Sequence, residues 1–276
     1  MNKIYLAAFA DEAGEDFSLQ LKALKRNDLQ GIEIRSVEGG NVVSLSPDKA
    51  RELKKRMEDA GVVCRSIGSP IGKISMERAG EHARMLEHIA QIAHILGAEN
   101  VRMFSYFMKP DEETQEFENR VIDELGILQR IAKTEGITLC HENEKGIFGW
   151  SPENCLKIHN AIPEIRAVFD PANYVQCGVD ALRAWELLKD RVLYFHAKDA
   201  LPSGKVVPCG AGAGHVPDIL RRYLAMGGSM ITLEPHLFSF SALKTLEENP
   251  EKRNDYATAD EAFDAAARAL KAIIGV

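Results

Sequence analysis

The chain has 276 residues, of which 45% are hydrophobic, 27% charged and 7% aromatic, a composition that excludes the disordered, collagenous and membrane-embedded classes. Lys and Arg number 34 against 41 Asp and Glu, giving a formal net charge of −7 with no run of five or six like charges, which argues against an electrostatic grip on nucleic acid or an anionic membrane. No apolar stretch approaches the roughly 20 residues that span a bilayer, the opening MNKIYLAAFADEAGED lacks a signal peptide's long apolar region, and the scattered cysteines, without a C-x-x-C pair, read as free thiols, so a cytoplasmic protein is expected.

In chain order the hydrophobic periodicity predicts strand 3–9, helix 16–29, strand 31–35, helix 48–60, strand 62–67, helix 80–96, strand 100–104 and helix 112–135. Strand 137–142, helix 152–160, strand 165–170, helix 178–188, strand 192–196, helix 216–226, strand 229–234 and helix 259–273 complete the series. Ser46-Pro47 and Ser151-Pro152 each put a hydroxyl at a helix N-cap and proline at the first helical position, where its missing N–H costs nothing. Gly61, Gly97, Gly136 and Gly227 sit where helices should stop in a left-handed cap. Strand–helix alternation without a Pro/Gly/Ser-rich linker predicts an α/β chain folded as one (β/α)8 TIM barrel over residues 1–276. A doubly wound open sheet is the alternative, but no G-x-G-x-x-G follows the first strand.

Strand alternation then assigns faces. Ile137, Leu139 and His141 oppose Thr138, Cys140 and Glu142; Leu193, Phe195 and Ala197 oppose Tyr194, His196 and Lys198; the apolar sets face the helices. By the same count Asp170 and Glu234 turn inward at the ends of the sixth and eighth strands, on the C-terminal face where barrel enzymes place their chemistry. Glu142, Asp170, His196 and Glu234 therefore converge from four successive strands. Three carboxylates buried together repel one another unless a cation neutralises them. One divalent metal resolves the conflict, and three oxygen donors with one imidazole suit Mn²⁺, Mg²⁺ or Co²⁺ better than a closed structural zinc site, although catalytic zinc also fits.

Glu33 and Arg35 share a parity at the end of strand two and are expected to pair near the pocket floor, with contact to substrate as the alternative, while Arg102 points inward from strand four, to pair or to bind a substrate hydroxyl or phosphate. Lys73, in the loop after strand three, is a candidate for an anionic substrate. Lys198 and His236 lie two residues beyond the seventh- and eighth-strand ligands with the same parity and are read as substrate-binding; Glu144 has the matching position after strand five. The run from Val207 to Gly214 reads first as an ordinary glycine-rich turn, with phosphate binding through its backbone N–H groups at the rim as the lesser alternative.

Six motifs carry a family resemblance: G-I-E-I-R at 31–35, S-P-I-G-K at 69–73, L-C-H-E-N-E-K-G-I-F-G at 139–149, F-D-P-A-N-Y-V-Q at 169–176, F-H-A-K-D-A at 195–200 and L-E-P-H-L at 233–237. In this order they resemble the xylose isomerase-like TIM barrels, in particular the sugar phosphate isomerase/epimerase group. The resemblance implies that Glu142, Asp170, His196 and Glu234 are metal ligands and that Glu142 and Glu234 also shuttle protons, as in ketose epimerases. It departs at Asn173, where many relatives carry a histidine and whose amide is read as substrate-binding, able to donate a hydrogen bond but not to ionise, and at Gly210-Ala211-Gly212-Ala213-Gly214, where many carry acidic residues.

The reading that follows is a divalent-metal-dependent isomerase or epimerase of a sugar or sugar phosphate, working by proton transfer through an enediolate. An inosose-type dehydratase is the nearest alternative. A metal-dependent phosphodiesterase of the AP-endonuclease type is disfavoured by the net charge and by the missing additional histidines, and a non-catalytic sugar-binding barrel by the intact ligand set. Nucleic acid and membrane are not expected as partners; a homo-oligomer is compatible with the sequence.

Overall fold

Eight short parallel strands leave no exposed edge only when the last pairs with the first, and the computed structural model, which describes residues 3–239 and 255–276, adopts that solution. The strands are β1 (Tyr5–Ala8), β2 (Gly31–Ile34), β3 (Val63–Gly68), β4 (Asn100–Met103), β5 (Thr138–Glu142), β6 (Arg166–Phe169), β7 (Val192–Ala197) and β8 (Met230–Leu233). Each predicted strand is present within a residue or two of its predicted ends, and the barrel closes through Tyr5 opposite Met230 and Leu6 opposite Ile231. On the site side the register sets His196 beside Thr232 and Glu142 beside Val168.

The helices are α1 (Phe17–Arg26), α2 (Pro47–Ala60), α3 (Ala79–Leu96), α4 (Gln115–Glu135), α5 (Pro152–Ala161), α6 (Pro171–Gln176), α7 (Ala181–Leu188), α8 (Val216–Ala225) and α9 (Ala259–Ile274). Ser46 and Ser151 cap α2 and α5 ahead of their prolines, accepting from the Lys49 and Asn154 amides. Gly61, Gly97 and Gly136 end α2, α3 and α4 in the left-handed conformation, and Gly227 lies one residue past the α8 cap with φ +90°. Three predicted helices differ: the 16–29 helix ends at Arg26, with Asn27 as its cap. The 112–135 helix starts at Gln115, behind a Thr114 cap and a short 3₁₀ turn, and the 178–188 helix starts at Ala181 behind an Asp180 cap. The short helix α6 precedes it.

Side-chain alternation follows the predicted faces. Tyr5, Ala7, Cys140, Val168, Tyr194 and Met230 pack together inside the barrel, while Leu139, Ala167, Phe169, Phe195, Ile231 and Leu233 belong to the larger core beneath the helices. The five cysteines are free. No helix among the described residues is long and apolar enough to cross a membrane.

Two histidines are buried in the outer core. His141 lies 3.0 Å from Ser105 Oγ through Nε2, and His159 of α5 lies 3.0 Å from the Ile165 carbonyl through Nδ1. Their rings meet edge to face at 5.9 Å. Burial disfavours charge on both and lowers His159 to about 4 and His141 to about 3. A histidine depressed in the folded state binds its proton first in the unfolded chain, so the stability it supports is complete above about pH 6.5 and erodes as pH falls toward the folded value. In urea unfolding at a series of pH values, each histidine should contribute a fall in stability of up to about 1.4 kcal/mol per pH unit between about pH 6.5 and its folded value. His159→Gln should remove its share of that slope; an unchanged slope would contradict the assignment.

Candidate functional site

Each of four strands delivers a polar side chain to the same end of the barrel. Glu142 closes β5, with Oε1 2.8 Å from His196 Nδ1 and Oε2 accepting from Arg102 Nη1 at 2.8 Å. Asp170 follows β6 and caps α6: its Oδ1 accepts the Asn173 N–H at 3.0 Å, and its Oδ2 lies 2.8 Å from Lys198 Nζ. His196, in β7, also reaches Glu234 Oε2 at 3.4 Å. Glu234 follows β8, with Oε1 accepting from Arg35 Nη1 at 3.4 Å and Oε2 accepting from Lys198 Nζ at 3.1 Å. One potential ligand atom from each of the four lies within 4.8 Å of all the others.

A second tier holds this tier in place. His196 Nε2 is 3.3 Å from Glu33 Oε2, an arrangement that orients Nδ1 toward the centre, as carboxylates commonly orient metal-binding histidines. Glu33 in turn accepts from Thr232 Oγ1 at 2.8 Å, Tyr194 OH at 3.0 Å and Ser66 Oγ at 3.3 Å. The expected Glu33–Arg35 ion pair does not form. Arg35 stands just past the end of β2 and binds Asp11 with two nitrogens at 3.0 Å and Glu12 at 3.1 Å, over the Phe9 ring. Alternation assigned both residues to the pocket floor but said nothing about the Asp11-Glu12 turn, whose carboxylates reach Arg35 first.

Burial opposes charge throughout, and neighbours decide the outcome. For Glu142, His196 and Arg102 outweigh burial and hold the carboxyl at about 2; for Glu234, Lys198, His236 and His196 hold it well below the usual range. Burial instead pushes Asp170 up to about 8 against the pull of Lys198, and Glu12 up to about 8 against Arg35. His196 is raised well above the ordinary histidine value because Glu142 and Glu33 overcome its burial. The cluster draws protons because it is short of positive charge: Asp11, Glu12, Glu33, Glu142, Asp170 and Glu234 are buried, and among the described residues Arg35, Arg102 and Lys198 are the buried permanent cations. A divalent cation fits that deficit. The donor set, three carboxylates and an imidazole, could hold manganese, magnesium, cobalt or zinc.

Above the cluster opens a tight pocket of about 30 Å³ lined by Lys73, Arg102, Glu144, Asn173, Lys198 and His236 among others, so every residue expected to meet substrate reaches it. Several are already engaged. Lys73 Nζ bonds Glu144 at 2.9 Å over the Phe104 ring, and Asn173 Nδ2 donates to the Asn143 carbonyl at 2.8 Å. The backbone N–H of His236, at φ +47°, donates to Glu12 at 2.5 Å.

The glycine-rich loop does not offer its N–H groups to a phosphate. Gly210, Gly212 and Gly214 donate theirs to the buried carboxylate of Asp199 at 2.9, 3.1 and 2.9 Å, and Ala200 adds a fourth at 2.9 Å. A Cβ on Gly212 or Gly214 would collide with Asp199 Oδ1.

Sequence reasoning passed over Asn143, Arg35's carboxylate partners, Glu33's role beneath His196, Lys145 and Gln176. Asn143 pairs with the Asp170 backbone in both directions, at 2.9 and 3.1 Å. A signal existed for α6: Asp170-Pro171 repeats the N-cap-proline pattern read at Ser46-Pro47, and it makes Asp170 a cap whose second oxygen faces the cluster.

A family model described as xylose isomerase-like TIM barrel matches residues 21–273. No curated protein matches the chain. Among solved structures, the IOLI protein with a binding zinc atom superposes with a TM-score of 0.76 at 17% identity, over 99% of this chain and 98% of that one. The probable 3-DHS dehydratase AsbF from Bacillus anthracis gives 0.76 at 12% identity over 98% of both chains. L-ribulose 3-epimerase gives 0.75 at 18% identity over 100% of this chain and 95% of the other. At these identities the likeness is one of fold.

The Asp199 cage makes its own forecast. Asp199→Asn turns an amide N–H₂ toward donors and should cost about 1–3 kcal/mol, and Gly212→Ala should cost at least as much through overpacking, about 1–3 kcal/mol, both read as lowered urea midpoints. Exposed Ala211→Ser should leave the midpoint unchanged. A Gly212→Ala protein as stable as the parent would rule out the cage.

Proposed function

Because the chain belongs to the xylose isomerase-like TIM barrel family, we propose that it is a divalent-metal-dependent isomerase or epimerase of a sugar or sugar phosphate. The observation that carries this reading is the convergence of Glu142, Asp170, His196 and Glu234 beneath a polar pocket. In this reading these four hold the ion, whose fixed charge stabilises negative charge developing on the oxygens of a sugar's carbonyl and neighbouring hydroxyl.

The chain's own residues supply the proton transfers. Glu142 and Glu234 come from strands separated by β6 and β7, and both are held ionised, the state a base requires. Each keeps one oxygen on a guanidinium, Arg102 or Arg35, and turns the other toward His196. One glutamate takes a proton from the carbon beside the carbonyl, and the other returns a proton at the opposite face or at the adjacent carbon. Lys73, Arg102, Glu144, Asn173, Lys198 and His236 bind the substrate's hydroxyls or its acidic group from the pocket wall.

A dehydratase is the second reading. His236 Nδ1 lies 3.3 Å from Glu234 Oε1 and Lys198 Nζ 3.1 Å from Oε2, so a proton donor for a departing hydroxyl stands beside the base.

Incubation in deuterated water with ketoses, aldoses, their phosphates and inososes tests the class: deuterium should enter at carbon, and loss of water from an inosose would identify the dehydratase. Absence of exchange across the panel in metal-loaded protein would remove both readings. Elemental analysis should show about one divalent ion per chain, strongly reduced in Asp170→Ala; equal content in the two proteins would sink the ligand assignment. Glu142→Gln and Glu234→Gln, compared at equal metal occupancy, should each lose roughly 10²–10⁴-fold in turnover. Full turnover in both would discard the two-glutamate scheme.

A further inference from the structure

The carboxylates proposed to hold the ion already hold a cation of the chain's own. Both oxygens of Asp170 are engaged, Oδ1 by the Asn173 N–H and Oδ2 by the Lys198 ammonium at 2.8 Å, and Glu234 Oε2 takes the same ammonium at 3.1 Å. Lys198 thus touches two of the four cluster residues from one point. The other pocket cations do not share this position: Arg102 sits on the outer oxygen of Glu142, and Lys73 is paired with Glu144. The backbone on either side of Lys198 is held, by His196 in β7 and by the caged Asp199, so its four-carbon stem is the part that can move. Burial at 6% exposure leaves the ammonium little water to retreat into except the pocket itself, which it lines.

We propose that Lys198 is a resident counter-cation that competes with the divalent ion for Asp170 and Glu234, so that seating the ion turns its ammonium into the pocket, where it meets substrate. This rests on the reading of the four cluster residues as the ion's ligands. Two cations on the same carboxylate oxygens repel in a poorly screened interior, and neither is shed by the other without cost. A flexible, rotatable ammonium suits the exchange in a way that the forked guanidinium of Arg35 or Arg102 does not. The ion then does two things at once: it fills its own site and releases a binding group for an oxygen of the substrate.

Metal-stripped protein titrated with Mn²⁺ against a competing chelator tests this without any turnover measurement. Lys198→Met and Lys198→Gln should bind Mn²⁺ at least about tenfold more tightly than the parent, while Lys73→Met, which removes a charge of the same pocket but not from these oxygens, should stay within about twofold. Before Mn²⁺ is added both Lys198 variants should melt below the parent, since Asp170 and Glu234 lose their cation, and Mn²⁺ should raise their melting temperature more than it raises the parent's. Circular dichroism confirms that folded proteins are compared, and the glutamine variant serves if the methionine variant does not fold. Unchanged Mn²⁺ affinity in the Lys198 variants, or an equal gain in Lys73→Met, overturns the competition and leaves the ligand assignment standing. Failure of the parent and of every variant to bind Mn²⁺ overturns both.

Discussion

Carboxylates cannot share one small buried volume without positive charge among them, and much of what is particular to this barrel answers that constraint. Arg102 takes the outer oxygen of Glu142, Arg35 that of Glu234, and Lys198 bridges Asp170 and Glu234. Asp170 gains a further donor by capping α6. Phe9 serves two of these contacts, lying 4.4 Å beneath the Arg35 guanidinium and meeting the His196 ring edge to face at 5.2 Å. The balance remains short, and the shortage shows as protons drawn to His196, Asp170 and Glu12.

The same strands build both the apolar floor and the charged mouth. In β7, Tyr194 lies in the inner apolar layer and lifts its hydroxyl to Glu33, and two residues later His196 stands on the same carboxylate. In β8, Met230 belongs to that layer, Thr232 donates to Glu33, and Glu234 follows at the mouth. Glu33 is thus the point where packing passes into chemistry: three hydroxyls hold it from below and from the sides, and it aims one imidazole. Barrel stability rests on a different set, the large core beneath the helices, where His141 and His159 are kept neutral by burial.

Most of the fold and the four central residues were legible because they depend on local periodicities. Alternation along Thr138–Glu142 and Val192–Ala197 is enough to turn Glu142 and His196 inward, and the helix-ending glycines mark the strands between. What escaped depends on contacts distant in sequence. Nothing near Arg35 announces that Asp11, 24 residues away, will take both arms of its guanidinium, or that Glu234 will come to it from the other end of the chain. The glycine-rich loop shows the same limit: its open N–H groups left a bound phosphate as an alternative to an ordinary turn, and the anion they hold is Asp199 of the same chain. The short α6 was within reach of the capping rule already used for α2 and α5.

That loop has a consequence for anyone wishing to change what the pocket accepts. Every second position, at 210, 212 and 214, is committed to an internal guest and has no room for a side chain against Asp199 at 212 and 214. Ala213 leans on the small patch of Ala172, Val175 and Ala200, whereas Ala211 is exposed. A library that randomises the whole segment would therefore spend most of its members on destabilised protein, while diversity confined to the exposed position 211 would leave the contacts to Asp199 intact.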